Sequence, residues 1–303
     1  MRTIKLQLTI QVFFPLLLWV GLVAAIAYFA VCLLLFFQQP RLIFAPSTVI
    51  EKTPKLFNLP YEEVWLPVSV GANKVERIHG WWISAKQPNA KVLLYLHGNG
   101  VNIGANVGHA SRFHKLGFSV LLIDYRGYGR SEGGFPNEMR VYQDAATAWN
   151  YLVQHQKILP KQIFIYGHSL GGAIAIDLAA QHPNAGGLIV ESTFTSIREL
   201  VAYRNMFWMF PVDLILTQRF ESIKKLPLLK IPLLMIHGTA DTTIPYFMSQ
   251  KLYTVAPQPK KLILVPSAEH NDLAQVAGLQ YSQWVLSFVQ QANVSNLPSS
   301  PSK

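Results

Sequence analysis

Apolar residues along this chain fall into three patterns. The first is a continuous run from about residue 12 to residue 37, with no charge between Lys5 and Arg41. It exceeds the ~20 residues a helix needs to cross the hydrocarbon core of a bilayer, and the roughly 7–15-residue apolar region of a cleaved signal. Ala25-Ile26-Ala27 imitates a small-x-small cleavage site, but ten more apolar residues follow it, so an uncleaved single-span anchor is expected over 1–41. The second pattern is short blocks that are almost wholly apolar, at 92–96, 118–124, 163–166, 187–190, 233–237 and 261–265. Such blocks read as strands buried on both faces. The third pattern is apolar residues at helical spacing. It is clearest over 138–156, where Val141, Ala145, Ala148, Trp149 and Leu152 share one face. Helices are also expected at about 105–116, 173–180, 246–255 and 278–291.

Two further strands, 62–70 and 78–85, read as a meander at the sheet edge. Strands alternating with helices imply a mainly parallel sheet flanked by helices, an α/β domain over 42–291. The stretch 193–230 is less regular and is a candidate short cap. From 292 to 303 the serines and prolines predict a disordered tail.

Composition changes little of this. Half of the 303 residues are hydrophobic, part of them in the anchor. The one cysteine, Cys32, excludes an intramolecular disulfide and a thiolate zinc cluster. The net charge is +10, but Lys and Arg are scattered, and no basic block interleaved with aromatics suggests nucleic acid. Beside an anchor, that charge suits anionic head groups. Arg2 and Lys5 before the span compete with Arg41, Lys52 and Lys55 after it. The count favours a cytoplasmic domain and the signal-anchor character favours export, so both orientations stay open.

The chemistry gathers at predicted strand ends, where ligands bind in parallel sheets. After the strand at 163 comes Gly167-His168-Ser169-Leu170-Gly171, then a helix. Strand, Gly-x-Ser-x-Gly, helix is the setting of a nucleophile elbow, a turn tight enough to strain the serine and to require glycine on both sides. A serine nucleophile needs a base, and the base needs a partner that fixes its tautomer. His270 follows the last strand and Asp241 the strand before it; Glu191 is the competing acid. The oxyanion donors expected are the N–H groups of Leu170 and Asn99, the latter in His97-Gly98-Asn99-Gly100. His97, His168 and His237 are expected to make structural hydrogen bonds around the site. No metal-ligand spacing or dinucleotide fingerprint is present, so neither metal nor cofactor is expected. Residues 203–216 are rich in Met and aromatics, which suits an acyl-chain wall, a bilayer contact or a helix packed on the core.

At these residues a family resemblance emerges. The chain resembles the α/β-hydrolase superfamily over about 42–291. The segments Leu96-His97-Gly98-Asn99-Gly100-Val101-Asn102-Ile103-Gly104, Asp124-Tyr125-Arg126-Gly127-Tyr128-Gly129, Gly167-His168-Ser169-Leu170-Gly171-Gly172 and Glu191-Ser192-Thr193-Phe194-Thr195-Ser196 look like those of membrane-anchored α/β-hydrolase domain-containing proteins. The core is also similar to serine aminopeptidase-type hydrolases. The resemblance implies Ser169 as nucleophile, Asp241 as acid and His270 as base. It also implies a membrane-anchored serine hydrolase of esters or thioesters, since some members remove palmitoyl groups from proteins. The partners expected are a bilayer and a lipid-like or acylated small-molecule or protein substrate. A peptidase and a non-catalytic binding protein are the alternatives.

Overall fold

Each continuously apolar block forms a strand, and alternate side chains supply two cores. Ile163 and Ile165 enter one core while Phe164 and Tyr166 enter the other. The same alternation divides Val92, Leu94 and Leu96 from Leu93 and Tyr95. A strand with both faces buried has no polar side, which explains the unbroken apolar pattern. The structure, a computed structural model, describes residues 2–71 and 73–295.

The order of elements is α1 (Arg2–Ile43), β1 (Ala45–Pro46), β2 (Tyr61–Ser69), β3 (Val75–Ile83), β4 (Val92–Leu96), β5 (Gly100–Val101), α2 (Ile103–Lys115), β6 (Ser119–Ile123) and α3 (Glu138–Asn150). Then follow β7 (Ile163–His168), α4 (Leu170–Gln181), β8 (Gly187–Glu191), α5 (Ile197–Tyr203), α6 (Val212–Ile215), α7 (Ser222–Lys225), β9 (Leu233–Gly238), α8 (Phe247–Val255), β10 (Lys260–Val265), α9 (Leu273–Ala277) and α10 (Leu279–Ser295). The eight-stranded sheet runs β10-β9-β8-β7-β4-β6-β3-β2. It is parallel from β10 to β6, while β3 is antiparallel to both its neighbours, β6 and β2. The predicted edge meander is therefore present. The parallel order places the ends of β4, β7, β8, β9 and β10 along one rim.

Three boundaries differ from expectation. The first helix runs through Pro40 to Ile43, past the expected anchor limit at 41. Proline has no N–H to donate to the carbonyl of Phe36, four residues back. That carbonyl instead accepts from the Gln39 side chain, Nε2 to O 2.7 Å, which offsets the lost bond. The second difference is the last helix, which continues through Ser295, into the predicted tail. Residues 296–303 of that tail lie outside the described residues. The third is 193–230, which holds three short α-helices, α5, α6 and α7, and a 3₁₀ turn at Leu226–Leu228. The segment Phe13–Ile43 of α1 is long and apolar enough to cross a membrane. Its side chains from Phe13 to Phe37 are largely exposed.

Candidate active site

Ser169 sits between β7 and α4 with φ 56° and ψ −121°. This backbone region is costly for any residue with a Cβ and persists only where the surroundings enforce it. Two glycines allow that enforcement. A Cβ on Gly167 would lie 2.2 Å from the carbonyl oxygen of Gly171, and one on Gly171 would lie 2.1 Å from that of Leu96. The turn is also tied from outside. Ser169 N–H donates to the carbonyl of Glu191 at 2.9 Å, and the Thr193 hydroxyl donates to the carbonyl of Ser169 at 3.0 Å. Because the obstacle at Gly171 is backbone, Gly171→Ala is expected to lower stability by about 3 kcal/mol or more. The midpoint of a denaturant titration reads this directly.

Asp241 and His270 meet across the ends of β9 and β10. His270 Nδ1–H donates to Asp241 Oδ2 at 2.7 Å. The other carboxylate oxygen, Oδ1, accepts the N–H groups of Thr243 and Ile244, both at 2.8 Å. His237 Nε2 lies 3.2 Å from Asp241 Oδ2 and 2.8 Å from the carbonyl of Ile244. Burial alone would raise the Asp241 carboxyl, but the bonds from His237, His270 and Ile244 outweigh it and hold the group well below the usual carboxylate range. Gly238 makes the approach of the two loops possible, since a Cβ there would meet the Ala268 carbonyl oxygen at 2.1 Å.

His168 ties these loops to the serine. Its Nε2–H donates to the backbone carbonyl of His270 at 3.0 Å, and the two rings lie 4.9 Å apart. Burial, reinforced by the neighbouring His270, pushes His168 down to about 3, so it is a neutral fixed strut. Ser169, Asp241 and His270 therefore gather at one place. The link left open is the hydroxyl: Ser169 Oγ makes no hydrogen bond among the described residues. Catalytic hydrogen bonds are often loose before substrate binds.

The two expected oxyanion donors border the same space, and Asn99, Leu170 and Ser169 line one cavity. Leu170 is the first residue of α4, so its N–H has no acceptor within the helix. The Gly98 carbonyl accepts from His97 Nδ1–H at 2.7 Å. In a trans peptide that bond also fixes the opposite direction for the Asn99 N–H. The Asn99 carbonyl is held by the Tyr128 hydroxyl at 2.7 Å and the Ala45 N–H at 3.1 Å. His97, His168 and His237 all make the structural bonds expected of them. The competing acid does not reach the histidine. Glu191 is buried with its carboxylate on the hydroxyls of Tyr281 and Tyr166, in the opposite core.

Several contributors to this site have no readable signal in the sequence. Leu35, Gln39, Leu42 and Ile43 of α1 line the cavity of Ser169. Phe194, Ile197, Leu200 and Val201 line it as well and lie within 193–230, the candidate cap, while Phe207, Phe210 and Ile215 lie within 203–216, where an acyl-chain wall is one of the expectations. The cavity measures about 320 Å³ and its wall is mostly apolar, with Arg204 as its charged member.

A mostly parallel sheet that presents a strained serine beside a histidine–carboxylate pair, under an apolar roof, defines a class of hydrolase. Comparison with known proteins agrees. The family model for serine aminopeptidases of the S33 type matches residues 87–220. An uncharacterized protein of Mycobacterium tuberculosis is 33% identical over 258 residues, covering 84% of this chain and 87% of that protein. An α/β-hydrolase domain-containing protein of Arabidopsis thaliana is 29% identical over 283 residues, covering 86% and 90%. A lysophosphatidylserine lipase of Danio rerio is 35% identical over 201 residues, covering 60% of this chain and 51% of the lipase. Among solved structures, an esterase of Pyrococcus furiosus superposes with a TM-score of 0.66 at 20% identity, covering 82% of this chain and 97% of the esterase. This chain belongs to the α/β-hydrolase family.

Proposed function

We propose that the chain is a membrane-anchored serine hydrolase that cleaves carboxylic ester or thioester bonds of lipid-like or acylated substrates. The observation that carries this reading is the His270–Asp241 bond beside the strained Ser169, which itself lines an apolar cavity. In the proposed reaction His270 Nε2 takes the hydroxyl proton as Ser169 Oγ attacks the carbonyl carbon. The Asn99 and Leu170 N–H groups receive the oxyanion. His270 then gives the proton to the departing alcohol or thiol, leaving an acyl-serine. Water repeats the sequence: His270 takes its proton, hydroxide adds to the acyl carbon, and Ser169 leaves with the proton returned.

In this reading α1 is the anchor and the catalytic domain follows it, with α5, α6 and α7 as a cap. The cavity wall supports a cap rather than helices packed only on the core. It also weighs against an aminopeptidase. An exopeptidase needs a carboxylate to hold the free amine of its substrate, and no Asp or Glu is among the described residues of the cavity wall. The name of the zebrafish relative adds a lysophospholipid ester to the substrates worth testing.

A fluorophosphonate probe is expected to label the full chain at Ser169, located by peptide mass spectrometry. A panel of acyl esters, acyl thioesters and aminoacyl amides then follows. Turnover of the esters or thioesters over the amides is the expected result. Preference for the amides would replace this reading with a peptidase, and unlabelled folded protein would end it.

A further inference from the structure

We infer that the membrane helix is itself a wall of the acyl site, and that the substrate is a single-chain amphiphile whose chain enters laterally from the leaflet, between α1 and the α5–α6 segment. The inference rests on the hydrolase reading above and deepens it.

The helix is fastened to the cap at two heights. Near its end, the buried Gln39 side chain is fully used. Its Oε1 accepts the N–H groups of Thr217 at 2.8 Å and Gln218 at 3.1 Å, and its Nε2 donates to Phe36 O and to Ile215 O at 3.2 Å. Eleven residues earlier, the Tyr28 hydroxyl donates to Met209 O at 2.8 Å, and its ring stacks on Phe210 at 5.5 Å. These fastenings lie about 16 Å apart along the helix. A third tie reaches the active site: Asn99 Nδ2 donates to the carbonyl of Ile43 at 2.8 Å, and β1 pairs with β5 immediately beyond. The anchor is thus part of the catalytic unit, not a tether beside it.

Depth follows from length. Phe13–Ile43 has 31 residues, about 46 Å of helix, against a hydrocarbon core of about 30 Å. Counted from the start of the apolar run at about residue 12, about twenty residues fill that core. Leu35 to Ile43, the stretch that lines the cavity, then stands at head-group level, with the exposed Arg41. The Tyr28–Met209 contact falls roughly four residues, or about 6 Å, inside the hydrocarbon. The cap therefore dips into the leaflet, and its exposed apolar side chains, Met206, Trp208, Met209 and Leu214, suit that depth. Ser169 is left at the level where the ester of a membrane amphiphile lies. A chain moving along the α1–cap seam exchanges lipid for apolar wall without entering water. The volume of about 320 Å³ lies at the small end of ligand cavities, room for one chain and not two.

The test uses the full chain reconstituted in phosphatidylcholine vesicles. The readout is the ratio of kcat/KM for 4-nitrophenyl palmitate to that for the butyrate. Leu35→Trp and Leu42→Trp fill the wall from the α1 side and are expected to lower the ratio by about tenfold or more. Leu22→Trp, on the exposed part of α1, is expected to leave it unchanged. An unshifted ratio in both wall variants, with fluorophosphonate labelling retained, overturns this inference alone. A wild-type protein that neither labels nor turns over ester overturns the hydrolase reading and this inference with it. A second measurement needs no packing change near the site. Brominated acyl chains are expected to quench the fluorescence that Trp208→Phe removes, and absence of that quenching takes the cap out of the leaflet and sinks lateral entry.

Discussion

Ser169→Ala is expected to abolish fluorophosphonate labelling and to lower ester turnover by about 10⁶-fold, while the protein stays folded. The loss is this large because the hydroxyl has no substitute at the turn. Thr193 Oγ1, which reaches the same turn, is committed to the carbonyl of Ser169. Stability is expected to respond differently. Alanine keeps a Cβ in the same left-handed backbone, so the strain stays. Ser169→Gly removes the Cβ and is expected to be equally inactive but more stable than Ser169→Ala, by about 1 kcal/mol in chemical denaturation. An inactive pair ordered this way would show that the fold stores strain in order to present the hydroxyl. Turnover surviving in either variant would remove Ser169 from the proposed chemistry.

Why the serine motif was legible while its surroundings were not is a matter of where the information sits. Gly167 and Gly171 are needed because backbone atoms approach them, and backbone is the same in any sequence, so the motif can be read locally. The sheet is legible for a similar reason: a strand buried on both faces must be apolar throughout, as at Val92–Leu96. The run of α1 past Pro40 is different. It depends on a side-chain bond from Gln39 and on the cap that Gln39 also holds, and no local pattern encodes a partner about 176 residues away. The cap is irregular for a related reason. Its backbone is satisfied by side chains from elsewhere, such as Glu138 of α3, which accepts the N–H groups of Arg219 and Phe220. Such bonding leaves no periodicity to detect. At the carboxyl end the 278–291 expectation missed α9, which Gly278 at φ 55° separates from α10. Asp241 and His270 could be named because chain order placed them at strand ends; Glu191 met the same criterion. Only side-chain direction separates the two acids.

That separation makes Asp241→Asn the more informative substitution at the site. It is expected to lower turnover by about 10⁴-fold. Thr243 and Ile244 both donate to Oδ1, so the amide oxygen of asparagine keeps that position and the NH₂ group turns to His270. His270 Nδ1 must then accept, its proton moves to Nε2, and the nitrogen facing the serine can no longer take a proton. Glu191→Gln is the matched control. Its carboxylate serves Tyr281 and Tyr166, so the expected cost is about 1–3 kcal/mol of stability, with turnover within tenfold of wild type. Stability gives the Asp241 variant a second readout. The folded carboxyl is held below its unfolded value of about 3.9, so the ion stabilises the fold above that pH, and this contribution is lost as pH falls through the folded value. Wild type and Asp241→Asn are therefore expected to differ in denaturation midpoint at pH 7 and to converge in strong acid. Full turnover in Asp241→Asn with collapse in a folded Glu191→Gln would transfer the acid role to Glu191 and require the His270 loop to turn away from the geometry described.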